Sequence, residues 1–325
     1  MNPASHDQVT TQERTAATGD RAAGLSADRA ALLSRLRAQR AAAGPRPDHE
    51  PVPMRPGRGP VQLVLVHPAG GELFCYTPLV RALAAGIGVL GFPADPADLD
   101  LPVTSRLPEV AARTLRGLAG ATDPGRCVLA GWSYGGAVAF EMARMHAGAT
   151  GRPPPVVLLD CVYYGDVELE NETRLRRRFV YDVARLAGRD HDSVRTALKA
   201  RERASAGVLD LPVLLAAAGV NLELTEAEIT ARYATFRACS LSLQAYRPPT
   251  PYTGPVTLAM AGEAPGIRER WREVSAGPFD VVALPGDHYT LFLPPALPAV
   301  AGLIEAAVTG ASRRNGAAAP ARQEG

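Results

Sequence analysis

The sequence predicts an α/β fold in which a mostly parallel sheet is flanked by helices and carries a helical insertion. Three observations lead to this prediction. Several short apolar runs rich in Val, Leu and Ile lack polar alternation, as expected for strands that are buried on both faces. Glycine-rich turns and segments with helical spacing follow most of these runs, which is the order of a parallel sheet with crossover helices. One helical stretch between two runs is far longer than a normal connection.

Four strands are predicted in the first half of the core, at 61–66, 87–92, 126–131 and 156–160. A helical stretch ending at Ala85 follows the first strand, and a helix at 106–120 follows the second. The third strand runs through WSYGG into the helix AVAFEMARMHA. These alternating elements predict parallel strands joined by helices.

Two further strands, at 255–260 and 280–284, and a closing helix at 296–308 complete the predicted core. Between the fourth and fifth strands, three segments carry apolar residues at helical spacing: NETRLRRRFVYDVARLAG, SVRTALKARERA and TEAEITARYATFRACSLSLQAY. We interpret the insertion, at about 163–245, as a helical lid over the carboxyl edge of the sheet. The core with its lid is predicted to span 61–310.

The segments outside this core have different compositions. Residues 1–24 and 311–325 are rich in small and polar residues and predict disordered tails. Residues 25–44 predict a short helix, with Ser26 as its N-cap and Gly44-Pro45 as its stop. The proline-rich segment 45–60 predicts a stiff, extended linker. The short helix is a candidate docking element for another protein; a packing helix and a remnant of fused ancestry are the alternatives.

Composition excludes several classes of function. The 325 residues include 35 Lys and Arg against 33 Asp and Glu, which leaves a net charge of +2. This balance argues against nucleic acid or an acidic membrane as the main partner. The four cysteines are far apart and indicate neither a zinc site nor a disulfide framework. The N-terminus lacks the apolar core of a signal peptide, and no apolar run is long enough to span a bilayer. We therefore expect a cytoplasmic protein.

The segment Gly131-Trp132-Ser133-Tyr134-Gly135 matches the pattern G-x-S-x-G. A buried strand precedes it and a helix follows it, which is the context in which this pattern forms a tight turn that exposes the serine. Glycines are required at the flanking positions because side chains there would clash. Ser133 is therefore the candidate nucleophile, with the helix N-terminus favouring nearby negative charge.

A serine hydroxyl needs a base to remove its proton, and histidine is the usual base. Of the six histidines, His288 alone lies in the last predicted strand-to-helix loop, in LPGDHYTLF, on the edge where Ser133 emerges. His67 is expected to shape the glycine-rich loop after the first strand. His288 is therefore the candidate base.

The imidazole must be oriented by an acid. Asp160 ends the apolar strand VVLLD at the same edge of the sheet and is the preferred candidate. Glu263, which follows the next strand, competes with it, whereas Asp287 would have to fold back on its own neighbour. The order Ser133, Asp160, His288 is the one expected for an α/β-hydrolase.

The tetrahedral intermediate of acyl transfer needs two backbone N–H donors. In this fold one belongs to the residue after the nucleophile, which is Tyr134, and the other to the loop after the first strand. That loop is HPAGG. We expect Ala69 to provide the second donor, with Gly70 as the alternative.

Four segments, VHPAGGELFCYTPLVRAL, GWSYGGAVAFEMA, VVLLD and PGDHYTLF, resemble the product-releasing thioesterase domains of polyketide synthases and nonribosomal peptide synthetases. The resemblance covers about residues 61–308. It implies an α/β-hydrolase with a helical lid, and it supports Asp160 over Glu263. It also implies that the substrate is an acyl or peptidyl chain on the phosphopantetheine arm of a carrier protein, taken as an ester by Ser133. No cofactor or metal is implied.

Several alternatives stay open at this point. The chain begins with Met and contains no carrier-protein sequence, so we expect a discrete enzyme that meets its carrier protein in trans. Hydrolysis and cyclisation of the bound chain are not distinguished. A serine esterase or acyltransferase on free substrates, and a non-catalytic binding protein with this fold, are the other candidates. Four arginines of the insertion could contact an acidic carrier protein or form a solvated helix face: Arg174, Arg176, Arg177 and Arg178.

Overall fold

The computed structural model describes residues 49–57, 59–204, 210–221, 224–262 and 266–317. The tail predicted at 1–24 and the helix predicted at 25–44 lie outside these residues, so both stay predictions. Among the described helices, none combines the length and the apolar character needed to cross a membrane.

A seven-stranded sheet forms the centre of the described part of the chain. Its strands are β1 (Val52–Arg55), β2 (Gln62–Val66), β3 (Gly88–Phe92), β4 (Cys127–Trp132), β5 (Val156–Leu159), β6 (Val256–Ala261) and β7 (Phe279–Leu284). They lie in the order β1-β3-β2-β4-β5-β6-β7, and β1 is antiparallel to β3 while the other neighbours are parallel. The predicted α/β architecture is confirmed.

Helices cover both faces of this sheet. The helices of the described residues are α1 (Thr77–Ala82), α2 (Val103–Ala121), α3 (Tyr134–Thr150), α4 (Glu172–Leu186), α5 (His191–Arg203), α6 (Leu211–Ala217), α7 (Glu226–Ala245), α8 (Ile267–Glu273) and α9 (Ala296–Ala317). Successive strand residues point to opposite faces. Accordingly Val64 and Val66 pack with residues of α2, α3 and α8, while Leu63 and Leu65 pack with α1 and α9.

The insertion between β5 and β6 forms the helices α4 to α7, which confirms its predicted helical character. These helices share an apolar cluster of their own that includes Leu175, Phe179, Leu198, Leu214 and Ile229. The short helix α6 was not predicted because its seven residues are too few to show helical periodicity. An insertion with its own core can hold a fixed position above the sheet.

The segment predicted as a linker at 45–60 contains β1, so its described part is not a free tether. Proline is tolerated there because β1 is an edge strand. The Arg55 guanidinium donates hydrogen bonds to the carbonyl oxygens of Val80, Leu83, Ala84 and Ile87. These bonds fix the strand to the C-terminal end of α1.

The last helix is longer than predicted. α9 continues to Ala317, so residues 311–317 are helical and the prediction of a tail from 311 was wrong for them. Ala311 is buried against the sheet, and Ser312 Oγ donates to the Val308 carbonyl oxygen. Packing of the helix face, which composition does not reveal, extends the element.

The turn from β4 into α3 depends on two close backbone approaches. A Cβ atom on Gly131 would lie 2.1 Å from the carbonyl carbon of Gly135, and one on Gly135 would lie 2.3 Å from the Val66 carbonyl oxygen. Neither position has room for a side chain. Helix α3 is thereby seated directly against the ends of β2 and β4.

We predict that Gly135→Ala lowers the free energy of unfolding by about 3 kcal/mol or more, because the backbone must move to admit the methyl group. Gly148→Ala is the matched control, since Gly148 is exposed on the same helix with nothing within 4 Å of the added atom. This control is expected to be stabilising by up to about 1 kcal/mol. Urea unfolding of both variants measures the difference, and equal stabilities would contradict the close approach.

Candidate active site

Ser133 lies between β4 and α3 in a sparsely populated backbone conformation, with φ 56° and ψ −124°. Such a conformation costs about 1–3 kcal/mol and persists only where the surroundings enforce it. The Ser133 N–H donates to the Leu159 carbonyl oxygen at 3.0 Å, and the Gly136 N–H donates to the Ser133 carbonyl oxygen at 3.1 Å. The half-buried serine is held at the carboxyl edge of the sheet, as predicted from the motif.

Asp160 follows β5 directly and also has a positive φ, of 45°. Its N–H donates to the Ala259 carbonyl oxygen at 2.7 Å, and its carboxylate Oδ1 accepts a hydrogen bond from the Ala261 N–H at 2.8 Å. Both partners belong to β6. The carboxylate is therefore buried in a position fixed by the neighbouring strand.

His288 lies in the loop between β7 and α9. Its Nδ1 is 2.6 Å from Asp160 Oδ2. A carboxylate can only accept, so the imidazole carries its proton on Nδ1, and Nε2 is left as the acceptor. The ring packs against Trp132, with centroids 4.9 Å apart, and meets the edge of Tyr289 at 5.1 Å. The two candidate residues, 128 positions apart in sequence, are directly joined.

A cavity of about 380 Å³ opens above these residues, and Ser133, Asp160 and His288 all line it. The candidate oxyanion residues Ala69 and Gly70 line the same cavity. Tyr134 is the first residue of α3, where backbone N–H groups have no partner within the helix. The three candidate catalytic residues and both candidates of the loop after β2 thus line one cavity, and Tyr134 follows Ser133 directly in the chain.

His67, expected to shape the loop after β2, is buried and has its Nδ1 2.8 Å from the Pro68 carbonyl oxygen. Burial lowers the pKa of His67 to about 4, although the hydrogen bond to Pro68 opposes this effect. A histidine that stays neutral and bonded within its own loop is suited to a structural role.

Of the other two candidates for the acid, the structure describes only Asp287. Glu263 lies outside the described residues. Asp287 Oδ2 pairs with Arg185 of the lid at 2.5 Å, and Asp287 Oδ1 accepts from the Tyr289 N–H at 2.9 Å. Asp287 therefore organises the loop that carries His288 and does not contact the imidazole nitrogens.

Sequence reasoning missed the contacts between the lid helix α4 and this loop. Arg185 lies over the Tyr289 ring at 5.6 Å from its centroid, and the Tyr181 and Tyr289 rings are 5.9 Å apart. Tyr181 and Arg185 are four residues apart, on one face of the helix. The spacing was visible in the sequence, but nothing in it indicated which loop that face would meet.

The arginines of α4 do not act as one group. Arg176 pairs with Glu172 at 3.1 Å, and Arg178 pairs with Glu170 at 3.0 Å and lines the cavity. Arg174 and Arg177 are exposed.

A second potential nucleophile, Cys75, also lines the cavity. Burial raises the pKa of its thiol well above the usual range, so the thiolate is strongly disfavoured. Within the part of the chain that the structure describes, no group of three or more His, Cys, Asp or Glu residues could hold a metal ion.

Comparison with known proteins identifies residues 61–308 with the family model described as thioesterase domain. No curated protein matches the chain at a significant level. Among solved structures, the Vlm2 thioesterase domain is similar, with 25% identity, a TM-score of 0.55 and coverage of 80% of this chain and 98% of that domain.

Two other solved structures share the fold. The four-domain nonribosomal peptide synthetase AB3403, bound to AMP and glycine, has 23% identity and a TM-score of 0.63; the match covers 79% of this chain and 20% of the synthetase. The NocB thioesterase domain, in a covalent complex with a fluorophosphonate nocardicin G analogue, has 22% identity, a TM-score of 0.55 and coverage of 78% and 96%. The fold is that of α/β-hydrolase thioesterase domains.

We predict that Arg185→Gln speeds hydrogen exchange at the Tyr289 amide by about tenfold or more, because loss of a charge-assisted hydrogen bond worth about 1.5–3 kcal/mol frees the Asp287 turn. Arg174→Gln, on the exposed part of the same helix, is the control. Hydrogen exchange followed by mass spectrometry measures the amide exchange rates in the loop that carries His288. Equal rates in both variants would show that α4 does not restrain this loop.

Proposed function

Because the chain belongs to the thioesterase domain family, we propose that it is a serine thioesterase acting on carrier-protein thioesters. In this proposal Ser133 takes an acyl or peptidyl chain from the phosphopantetheine arm of a polyketide or nonribosomal peptide synthase carrier protein. The chain is then released by hydrolysis or cyclisation. The observation that carries the proposal is the 2.6 Å hydrogen bond between Asp160 and His288 beside the strained Ser133 turn.

Acylation begins when His288 Nε2 accepts the proton of the Ser133 hydroxyl as Oγ attacks the thioester carbonyl carbon. Asp160 holds the required tautomer and stabilises the imidazolium that forms. Collapse of the tetrahedral intermediate breaks the carbon–sulfur bond, and His288 returns the proton to the departing thiolate. The products are the Ser133 ester and the free phosphopantetheine thiol.

The oxyanion of that intermediate is assigned to the backbone N–H groups of Ala69 and Tyr134. Fixed donors in a cavity of low polarity stabilise developing charge without having to reorganise. The N-terminus of α3 adds its partial positive charge at the same point. Release repeats these steps, with water or a nucleophile of the bound chain attacking the ester.

A carrier protein is the proposed partner because it delivers chains to domains of this kind. The exposed Arg174 and Arg177 of α4 are the proposed contacts for an acidic carrier surface. No cofactor is needed for the steps described.

We predict that Ser133→Ala lowers kcat for an acyl thioester roughly 10⁶-fold, and that Asp160→Asn lowers it by about 10⁴-fold because the imidazole loses its orienting acceptor. Glu263→Gln is the control for the acid and is expected to retain most activity. Thiol release is measured with a colorimetric reagent. A larger loss for Glu263→Gln than for Asp160→Asn would reassign the acid.

We further predict that a chain on a carrier protein is turned over with at least a tenfold higher kcat/KM than the same chain on a free pantetheine analogue. The gain comes from the additional binding surface, which lowers the barrier only if it is used in the transition state. The double variant Arg174→Gln/Arg177→Gln is expected to reduce this advantage. Equal values for both forms of the chain would favour an esterase acting on free substrates.

A further inference from the structure

The lid contributes an acidic side chain to the cavity wall that the proposed mechanism does not use. Asp182 of α4 is half-buried and lines the cavity together with Phe179, Val183 and Leu186 of the same helix. Asp182 is therefore an ionisable residue on a part of the cavity wall that also carries three apolar side chains. Polar groups placed sparsely in an apolar pocket usually fix the orientation and identity of the ligand.

The other charged side chains of the cavity do not neutralise Asp182. Asp160 is occupied by His288, and Arg178 pairs with Glu170 outside the cavity lining at 3.0 Å. Glu72 and Arg232 also line the cavity. Among the described residues, no Lys, Arg or His nitrogen lies within 4.0 Å of the Asp182 carboxylate, the distance that defines an ion pair.

The groups around this carboxyl come from three elements. Tyr289 and His288 face it from the loop after β7, Arg178 from α4 itself, and Cys75 from the turn before α1. Burial raises the pKa of Asp182 to about 6, although the interactions with His288, Tyr289 and Arg178 oppose this effect. At neutral pH the carboxylate is ionised and poorly solvated, which is costly unless a cation accompanies it.

A second polar group in the cavity wall has no hydrogen-bond partner. Ser240 of α7 lines the cavity and is 2% exposed, and its hydroxyl has no hydrogen-bond partner among the described residues. Buried hydroxyls are normally satisfied. Ser240 on α7 thus lacks a partner within the described residues, whereas Asp182 on α4 accepts a hydrogen bond from Tyr289 but has no cationic nitrogen within 4.0 Å among them.

We propose that Asp182 determines the substrate specificity of the cavity by pairing with a basic amine on the acyl chain. The inference rests on the proposed function, since the chain enters the cavity as a thioester and is held as an ester on Ser133. An ammonium group compensates the charge of the carboxylate, whereas a hydroxyl group only donates a hydrogen bond. A methyl group in the same place leaves the buried charge unpaired.

The test uses N-acetylcysteamine thioesters in matched pairs, in which ω-amino acyl chains of four to ten carbons are compared with chains ending in methyl. Thiol release reports acylation whether the chain is later hydrolysed or cyclised. The wild type is expected to favour the amine by tenfold or more in kcat/KM at one or more chain lengths, and Asp182→Asn to reduce this ratio to within about twofold. Because both substrates are compared on the same enzyme preparation, the ratio of their kcat/KM values does not depend on how much of the protein is folded.

Glu72→Gln and Arg232→Gln are the matched controls, because each changes another charged residue of the same cavity; both are expected to keep the preference for the amine. A ratio near one in the wild type, or a ratio that survives in Asp182→Asn, would overturn the assignment. So would a preference for chains ending in carboxylate that Arg232→Gln abolishes. If no thioester of either kind is turned over, the same matched chains are loaded on a carrier protein, and absence of turnover there too means that the proposed function itself fails and the inference fails with it.

The preference is also expected to depend on pH. As pH falls through about 6, Asp182 gains a proton and the ratio of amine to methyl kcat/KM should fall with it. Burial keeps Tyr289 and Cys75 neutral in this range, and any change that slows both substrates alike leaves the ratio unchanged. A ratio that stays constant from pH 5 to 8 would contradict the role of Asp182.

Discussion

The contact between Gly135 and the end of β2 is the constraint on which the candidate site depends. Helix α3 can approach the sheet this closely only where the backbone has no side chain to accommodate. That approach enforces the positive φ of Ser133 and directs its helix N-terminus toward the cavity. Burial of the first ten residues of α3 offsets the unfavourable backbone conformation of Ser133.

A second constraint comes from the neighbouring strands. Asp160 is positioned by two hydrogen bonds to β6, so its carboxylate depends on the register between β5 and β6. His288 approaches that carboxylate from the loop after β7, two strands along the sheet. The lid adds a further restraint, because its Arg185 pairs with Asp287 of the same loop. The positions of the site residues therefore depend on contacts with both the sheet and the insertion.

Sequence alone predicted the elements that have strong local signals. The buried strands were visible as apolar runs, and Ser133 was visible because its turn needs glycines at fixed positions. The pairing of Asp160 with His288 could be proposed because both follow strands at one edge of a parallel sheet. In contrast, β1 was hidden in a proline-rich segment, and its pairing with β3 depends on a contact with a strand 36 residues later (88 − 52).

Asp182 illustrates what sequence could not show. In the sequence it is one of many charged residues on a strongly polar helix, and such residues usually face solvent. Its place in the cavity follows from the packing of Leu175, Phe179 and Val180 in the core of the lid, which turns the adjacent face of α4 toward Ser133. Long-range packing of this kind leaves no local pattern.

The central claim is that Ser133, and not the neighbouring Cys75, accepts the acyl chain. The most direct measurement is mass spectrometry of the protein quenched shortly after mixing with an acyl thioester, followed by peptide mapping of the adduct. The account predicts one acyl group on the peptide containing Ser133, which disappears as product is released. An adduct on Cys75, or thioester cleavage that proceeds in Ser133→Ala at the wild-type rate, would contradict it.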